Sequence, residues 1–158
     1  MNALLQPGPQ LRPMHCDDLD RVLAVERAAY SFPWTRGNFI DSLAAGYLAE
    51  LLVGDQSALI GYYVAMAGVD EMHLLNLTVT PAHQGRGHSN TLLDALQRRC
   101  REQRLATLWL EVRASNVRAR QVYARRGLAE VGLRRGYYPA AKAQREDAIV
   151  MSLVLGEG

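Results

Sequence analysis

The stretch that most restricts how this chain can fold is Leu75-Asn76-Leu77-Thr78-Val79-Thr80-Pro81-Ala82-His83-Gln84-Gly85-Arg86-Gly87-His88-Ser89-Asn90. An apolar run leads into a proline turn, then a glycine-containing loop, then a long helical pattern. A strand that ends in such a loop and opens a helix aims the unpaired N–H groups of the first helical turn at one point. The helix dipole adds partial positive charge there, and together they suit an anion such as a pyrophosphate. Gly85 and Gly87 let the backbone approach a ligand with no Cβ in the way. Short glycine turns that only cap a helix share this pattern, so spacing alone leaves both readings open. No Gly-Lys-Ser/Thr follows, which excludes a P-loop, and the Gly-x-Gly-x-x-Gly spacing of a dinucleotide fold is absent.

On either side of this stretch the sequence alternates strands and helices. Gln10 to Met14 predicts a short strand, and Asp17 or Asp18 is placed to cap a helix running to about Tyr30. Ser31-Phe32-Pro33-Trp34 breaks that helix, and Thr35 can cap a second one ending near Gly46. Strands are expected over about 47–53, 58–67 and 72–79, with Gly54-Asp55-Gln56-Ser57 as a turn. Leu92, Leu93, Leu96 and Cys100 form one stripe of a helix spanning about 87–103. Strand 106–112, a helix from about Asn116 to Arg126 stopped by Gly127, and closing strands near 128–136 and 146–154 complete the pattern. This reads as a mixed α/β fold (α+β) in a single domain, residues 1–158.

Charge is uneven: residues 1–83 sum to −5 and residues 84–158 to +7. A basic half could face a phosphate-rich ligand, although a solvated arginine surface gives the same sum. The arginines are not interleaved with aromatics, so direct nucleic-acid binding is not expected. No apolar run reaches the roughly 20 residues of a membrane-spanning helix, and the first ten residues lack the pattern of a secretory signal. Cys16 and Cys100 read as free thiols in a reducing, cytoplasmic setting. His15, His73, His83 and His88 show no metal-ligand spacing, so no metal is expected.

Gln84-Gly85-Arg86-Gly87-His88-Ser89, with the strand before it, resembles the Gln/Arg-x-x-Gly-x-Gly/Ala signature of the GNAT acyltransferase superfamily. Ser89 stands where that signature has Gly or Ala, but serine is small and keeps its N–H. His88 and Asn90 also depart from residues common in relatives. Thr107 to Asn116, Arg134-Arg135-Gly136-Tyr137-Tyr138-Pro139, Glu146-Asp147-Ala148-Ile149 and Phe32-Pro33-Trp34 are similar to the RimI-like ribosomal-protein-alanine N-acetyltransferases within it. The likeness spans roughly Leu11 to Leu155.

The resemblance implies a GNAT fold: a splayed, mostly antiparallel sheet flanked by helices. It implies acetyl-CoA as cosubstrate and the N-terminal alanine of small-subunit ribosomal protein eighteen as acceptor. A broader N-terminal or lysine acetyltransferase and a non-catalytic acetyl-CoA-binding module stay open as alternatives. Within the family, Glu111 matches the general base and Tyr123 the general acid toward the departing sulfur. Gly85, Arg86, Gly87, His88, Ser89 and Asn90 match the pyrophosphate loop. Leu77, Thr78 and Val79 would act through their backbone, and Asn116 would contact the cosubstrate. By residue type alone, Glu111 also fits a solvated strand face, Tyr123 a packed helix and Asn116 an N-cap. Phe32, Trp34, Tyr137 and Tyr138 are turn aromatics, with Trp34 and Tyr138 expected to meet the acceptor. Asp17, Asp18 and Glu26 could attract a basic peptide. A monomer without a membrane partner is expected, and no covalent cysteine intermediate is needed because the amine attacks directly.

Overall fold

The computed structural model describes residues 8–156. Among them seven strands form one sheet in the order β1-β2-β3-β4-β5-β7-β6, accompanied by four α-helices. The chain clusters into two compact units. One holds the residues up to Val64 with Leu77–Leu92, and the other holds Ala65–Asn76 with the residues from Leu93 onward. No helix among the described residues is long and apolar enough to cross a membrane.

In the first unit β1 (Gln10–Pro13) pairs antiparallel with β2 (Leu48–Val53). Two helices follow β1: α1 (Leu19–Ala29) and α2 (Arg36–Ala44). α1 buries Leu19, Val22, Leu23 and Glu26, the i, i+3, i+4, i+7 face of a helix. α2 starts at a capping box. Thr35 Oγ1 accepts from the Asn38 N–H at 3.1 Å, and Asn38 Oδ1 accepts from the Thr35 N–H at 2.9 Å. Such a cap is worth about 1 kcal/mol.

Asp18 does not cap α1 as the sequence suggested. Its backbone is already helical and its side chain makes no cap hydrogen bond. The carboxylate instead accepts from the His15 N–H at 2.8 Å, from Arg12 at 2.8 Å and from Arg21 at 3.4 Å. Burial pushes its pKa up, but the Arg12 and His15 hydrogen bonds and the two arginine charges outweigh that, so it lies below the ordinary value. Glu26 is likewise spoken for: it is 2% exposed and accepts from the Tyr62 hydroxyl at 2.5 Å and the Trp34 N–H at 2.9 Å. Neither acid is a loose attractor for a cationic peptide, because each is buried and held by local partners.

β3 (Leu59–Ala67) and β4 (Glu71–Val79) run through both units. Gly61 marks their tightest approach. A Cβ there would lie 2.5 Å from the Thr78 carbonyl oxygen and 3.3 Å from the Val79 Cα. The residue has to be glycine for space, since its φ is ordinary.

The second unit contains β5 (Thr107–Arg113), α4 (Val117–Arg125), β6 (Ala129–Pro139) and β7 (Arg145–Val154). β4 and β5 are parallel, in register from Glu71 opposite Thr107 to Leu74 opposite Leu110. The ladder stops there, although β4 continues to Val79 and β5 to Arg113. On its other side β5 pairs antiparallel with β7 over its full length. Leu108, Leu110 and Val112 are buried while Trp109, Glu111 and Arg113 share the opposite face. β6 outruns the expected strand end at 136. Gly136, at φ 59°, forms a bulge rather than a stop, its N–H donating to Asp147 Oδ1 at 2.8 Å. Both cysteines are free, and burial pushes the Cys100 thiol up to about 11.

Gly61→Ala should destabilise the protein by about 1–3 kcal/mol, because the added methyl meets backbone that cannot rotate away. Urea unfolding monitored by circular dichroism would measure it. A midpoint unchanged from wild type would show that β3 and β4 separate freely.

Candidate active site

The glycine loop forms as the sequence implied. Pro81–His83 make a single 3-10 turn, and α3 (His88–Glu102) opens at His88. Between them Gly85 and Gly87 have φ of 79° and 81°, left-handed values that cost a residue with a Cβ. The space at Gly87 where a Cβ would stand is open to 4 Å. The loop is pinned at its base, not across its mouth. Gln84 Nε2 donates to the Val79 carbonyl at 3.2 Å, and the Thr80 hydroxyl lies 2.6 Å from His83 Nδ1. The His88 pKa is lowered by partial burial and then by the charges of His83 and Arg86. Arg86, Gly85 and Asn90 are exposed, and His88 and Ser89 are half-buried. These features fit a pyrophosphate, and they form in the first unit.

The strand before the loop is less idle than expected. The Tyr30 hydroxyl lies 2.7 Å from Thr78 Oγ1 and 3.2 Å from the Leu77 carbonyl. Thr78 and Val79 are buried, and Leu77 is half-buried.

The second unit holds the most unusual side chain. Glu111 is only 6% exposed at its side chain. Its Oε1 is 2.5 Å from His73 Nε2. Its Oε2 is buried with no hydrogen-bond partner among the described residues, and Arg134 Nε is 3.6 Å away. Burial pushes the carboxyl pKa up. The His73 hydrogen bond and charge, the Arg134 charge and the Tyr137 hydroxyl outweigh burial, so the group lies below the ordinary carboxylate value. The His73 imidazole lies flat on the Trp109 indole, with centroids 3.7 Å apart and planes 9° from parallel. Trp109 Nε1 is a second buried polar atom without a partner among the described residues. Native proteins leave few such atoms, and here two fall in one cluster.

Sequence reading missed His73, which it weighed only as a metal ligand. The signal was strand register: residue 73 of one strand stands opposite residue 109 of its parallel neighbour. An imidazole there stacks on Trp109 and reaches diagonally to residue 111. It also missed Arg134 as a neighbour of Glu111. Among the described residues no group of three or more His, Cys, Asp or Glu could hold a metal ion.

The remaining candidates are placed as follows. Asn116 is the N-cap of α4, its Oδ1 accepting from the Ala119 N–H at 3.2 Å. Tyr123 sits half-buried two residues before the end of α4. Trp34 packs 5.1 Å from the Phe39 ring, which in turn meets Tyr62 edge-on. Trp34 also lines a cavity of about 360 Å³ with Asn38, Asp41, Ser42 and Tyr47. Tyr138 is half-buried under the Arg113 guanidinium at 4.6 Å and beside Tyr137 at 5.0 Å. Tyr137 and Phe32 are exposed, at 41% and 43%.

The profile of the Acetyltransferase (GNAT) family matches residues 19–128. The [ribosomal protein bS18]-alanine N-acetyltransferase of Haemophilus ducreyi is 36% identical over 138 residues, covering 87% of this chain and 94% of that protein. The protein of the same description from Escherichia coli K12 is 36% identical over 136 residues, covering 86% and 90%. The crystal structure of the ribosomal-protein-S18-alanine N-acetyltransferase from Escherichia coli superposes with a TM-score of 0.87 at 33% identity, over 95% of this chain and 96% of that one. With a glycine loop that opens a helix, a buried carboxylate on the strand that follows that helix, and a family match over residues 19–128, the chain belongs to the acetyltransferase (GNAT) family.

Proposed function

We propose that this chain is a cytoplasmic, acetyl-CoA-dependent N-terminal acetyltransferase that modifies the alanine amine of ribosomal protein bS18, working as one catalytic domain. The observation that carries the chemistry is Glu111 Oε2: an ionised, buried acceptor without a hydrogen bond among the described residues. The choice of acceptor rests on the likeness to the bS18-alanine enzymes.

The α-ammonium of a peptide has a pKa near 8 and must lose a proton before it attacks. Glu111 is ionised at neutral pH, since its carboxyl lies below the ordinary value. Its Oε2 takes that proton, directly or through one water. The free amine then attacks the thioester carbonyl of acetyl-CoA. No covalent enzyme intermediate forms, so both substrates must be bound together. The tetrahedral intermediate collapses with cleavage of the C–S bond, the departing thiolate receives the proton of the Tyr123 phenol, and the second proton of the attacking nitrogen, carried by water, restores that phenol.

Binding roles divide by element. The main chain at Gly85, Arg86, Gly87, His88, Ser89 and Asn90 holds the pyrophosphate at the start of α3. The backbone of Leu77, Thr78 and Val79 pairs with the pantetheine amides and polarises the thioester carbonyl. Asn116 spends its Oδ1 on the helix cap, leaving its amide NH₂ for the cosubstrate. Trp34 and Tyr138 contact the acceptor peptide.

Glu111→Gln should lower kcat by about 10²–10⁴ while acetyl-CoA affinity stays near wild type. Steady-state kinetics with calorimetry of cosubstrate binding would separate the two. Tyr123→Phe should likewise act on kcat, by about 10². Acceptor choice is tested by mass spectrometry of peptides with free or blocked N-termini. Acetylation confined to free α-amines, with alanine preferred, is the expected result. Equal use of internal lysines would replace this reading with a broader protein acetyltransferase.

A further inference from the structure

We infer that His73 is a positioning residue for the reaction, making Glu111 a base with a single working oxygen. This rests on Glu111 being the base, and it adds a residue that the family pattern did not supply.

A carboxylate has two equivalent oxygens, and a catalytic one gains from presenting only one of them to the substrate. The geometry here does that. His73 Nε2, at 2.5 Å, occupies Oε1, and Oε2 alone lacks a hydrogen bond. An ionised carboxylate can only accept, so the imidazole donates Nε2–H to Oε1. Trp109 fixes the ring plane by stacking on it at 3.7 Å. Trp109 is in turn fixed by β5, which is hydrogen-bonded on both sides. His73 is 12% exposed, so water does not easily replace it at Oε1. The proton taken from the acceptor ammonium therefore goes to Oε2, and Nε2–H stays on Oε1 throughout.

The same contact carries a pH consequence. Against burial, which pushes the Glu111 carboxyl up, the His73 hydrogen bond comes first among the influences that hold it below its ordinary value, ahead of the charge of Arg134 and the Tyr137 hydroxyl on β6. Without that donor the carboxyl takes its proton at a higher pH, so the acid limb of the rate profile moves up.

His73→Leu removes the donor, while His73→Gln keeps an N–H donor. Both are compared with wild type and Glu111→Gln in kcat, KM and pH profile, with circular dichroism for folding. The Leu variant is expected to lose about 10- to 100-fold in kcat with KM for acetyl-CoA changed by less than about twofold. The Gln variant should recover to within about fivefold of wild type, and the acid limb of the kcat profile should lie higher in the Leu variant than in wild type or the Gln variant. A Leu variant that folds and keeps wild-type kcat overturns the inference, as does a Gln variant no faster than the Leu one. Should the Leu variant fail to fold, the Gln variant decides alone, and a loss in it of more than about fivefold overturns the inference. Glu111→Gln separates the two levels. If it keeps its rate, the base assignment itself falls. If it loses its rate while both His73 variants match wild type, only the role of His73 falls.

Discussion

Four residue pairs of parallel ladder between β4 and β5 determine most of what is distinctive here. They set His73 opposite Trp109, so that the imidazole stacks on one residue of β5 and hydrogen-bonds two residues further on. A shift of one residue in either strand would turn the whole set to the other face. β5 also pairs with β7 along its full length, from Thr107 opposite Val154 to Arg113 opposite Ala148. β5 is held on both edges up to Leu110 and by β7 beyond it, so Glu111 stands on a strand with little freedom to move.

Two buried carboxylates illustrate the difference between structure and chemistry. Glu26 is 2% exposed, and each of its oxygens has a donor: the Tyr62 hydroxyl on one, the Trp34 N–H on the other. It ties α1 to β3 and to the chain entering α2, and nothing more is needed to explain it. Glu111 is as well hidden, but only one oxygen is satisfied. Desolvating a charge without filling its acceptors is costly, and a fold keeps such a group only where neighbours hold it ionised. His73 and Arg134 do so. Burial together with an unmet hydrogen bond separates a reactive acid from a merely internal one.

Much of this was legible from residue order. Thr35 capped its helix, Gly127 ended α4 with φ 96°, and Gly85 and Gly87, read as points of close backbone approach, adopt the left-handed backbone open to glycine. These are local properties, decided within a few residues. Errors arose where distant segments meet. Asp18 is not the N-cap of α1: its carboxylate reaches back to the His15 N–H at the preceding 3-10 turn and pairs with Arg12 of β1. The β6 bulge at Gly136 depends on Asp147 across the hairpin. His73 gained its meaning only from register, which no single stretch of sequence encodes. The aromatics divided similarly: Trp34 was expected at the acceptor, and its ring is packed against Phe39 with part of it facing a cavity.

The two tryptophans fall one in each compact unit, Trp34 in the first and Trp109 in the second. Their surroundings differ optically. One indole is tilted against a phenyl ring, and the other is sandwiched flat beneath an imidazole. Replacing either by phenylalanine leaves a chain whose intrinsic fluorescence arises from a single, known position. The emission of the first variant then reports the surroundings of His73, and that of the second reports the packing of α2, with no label attached.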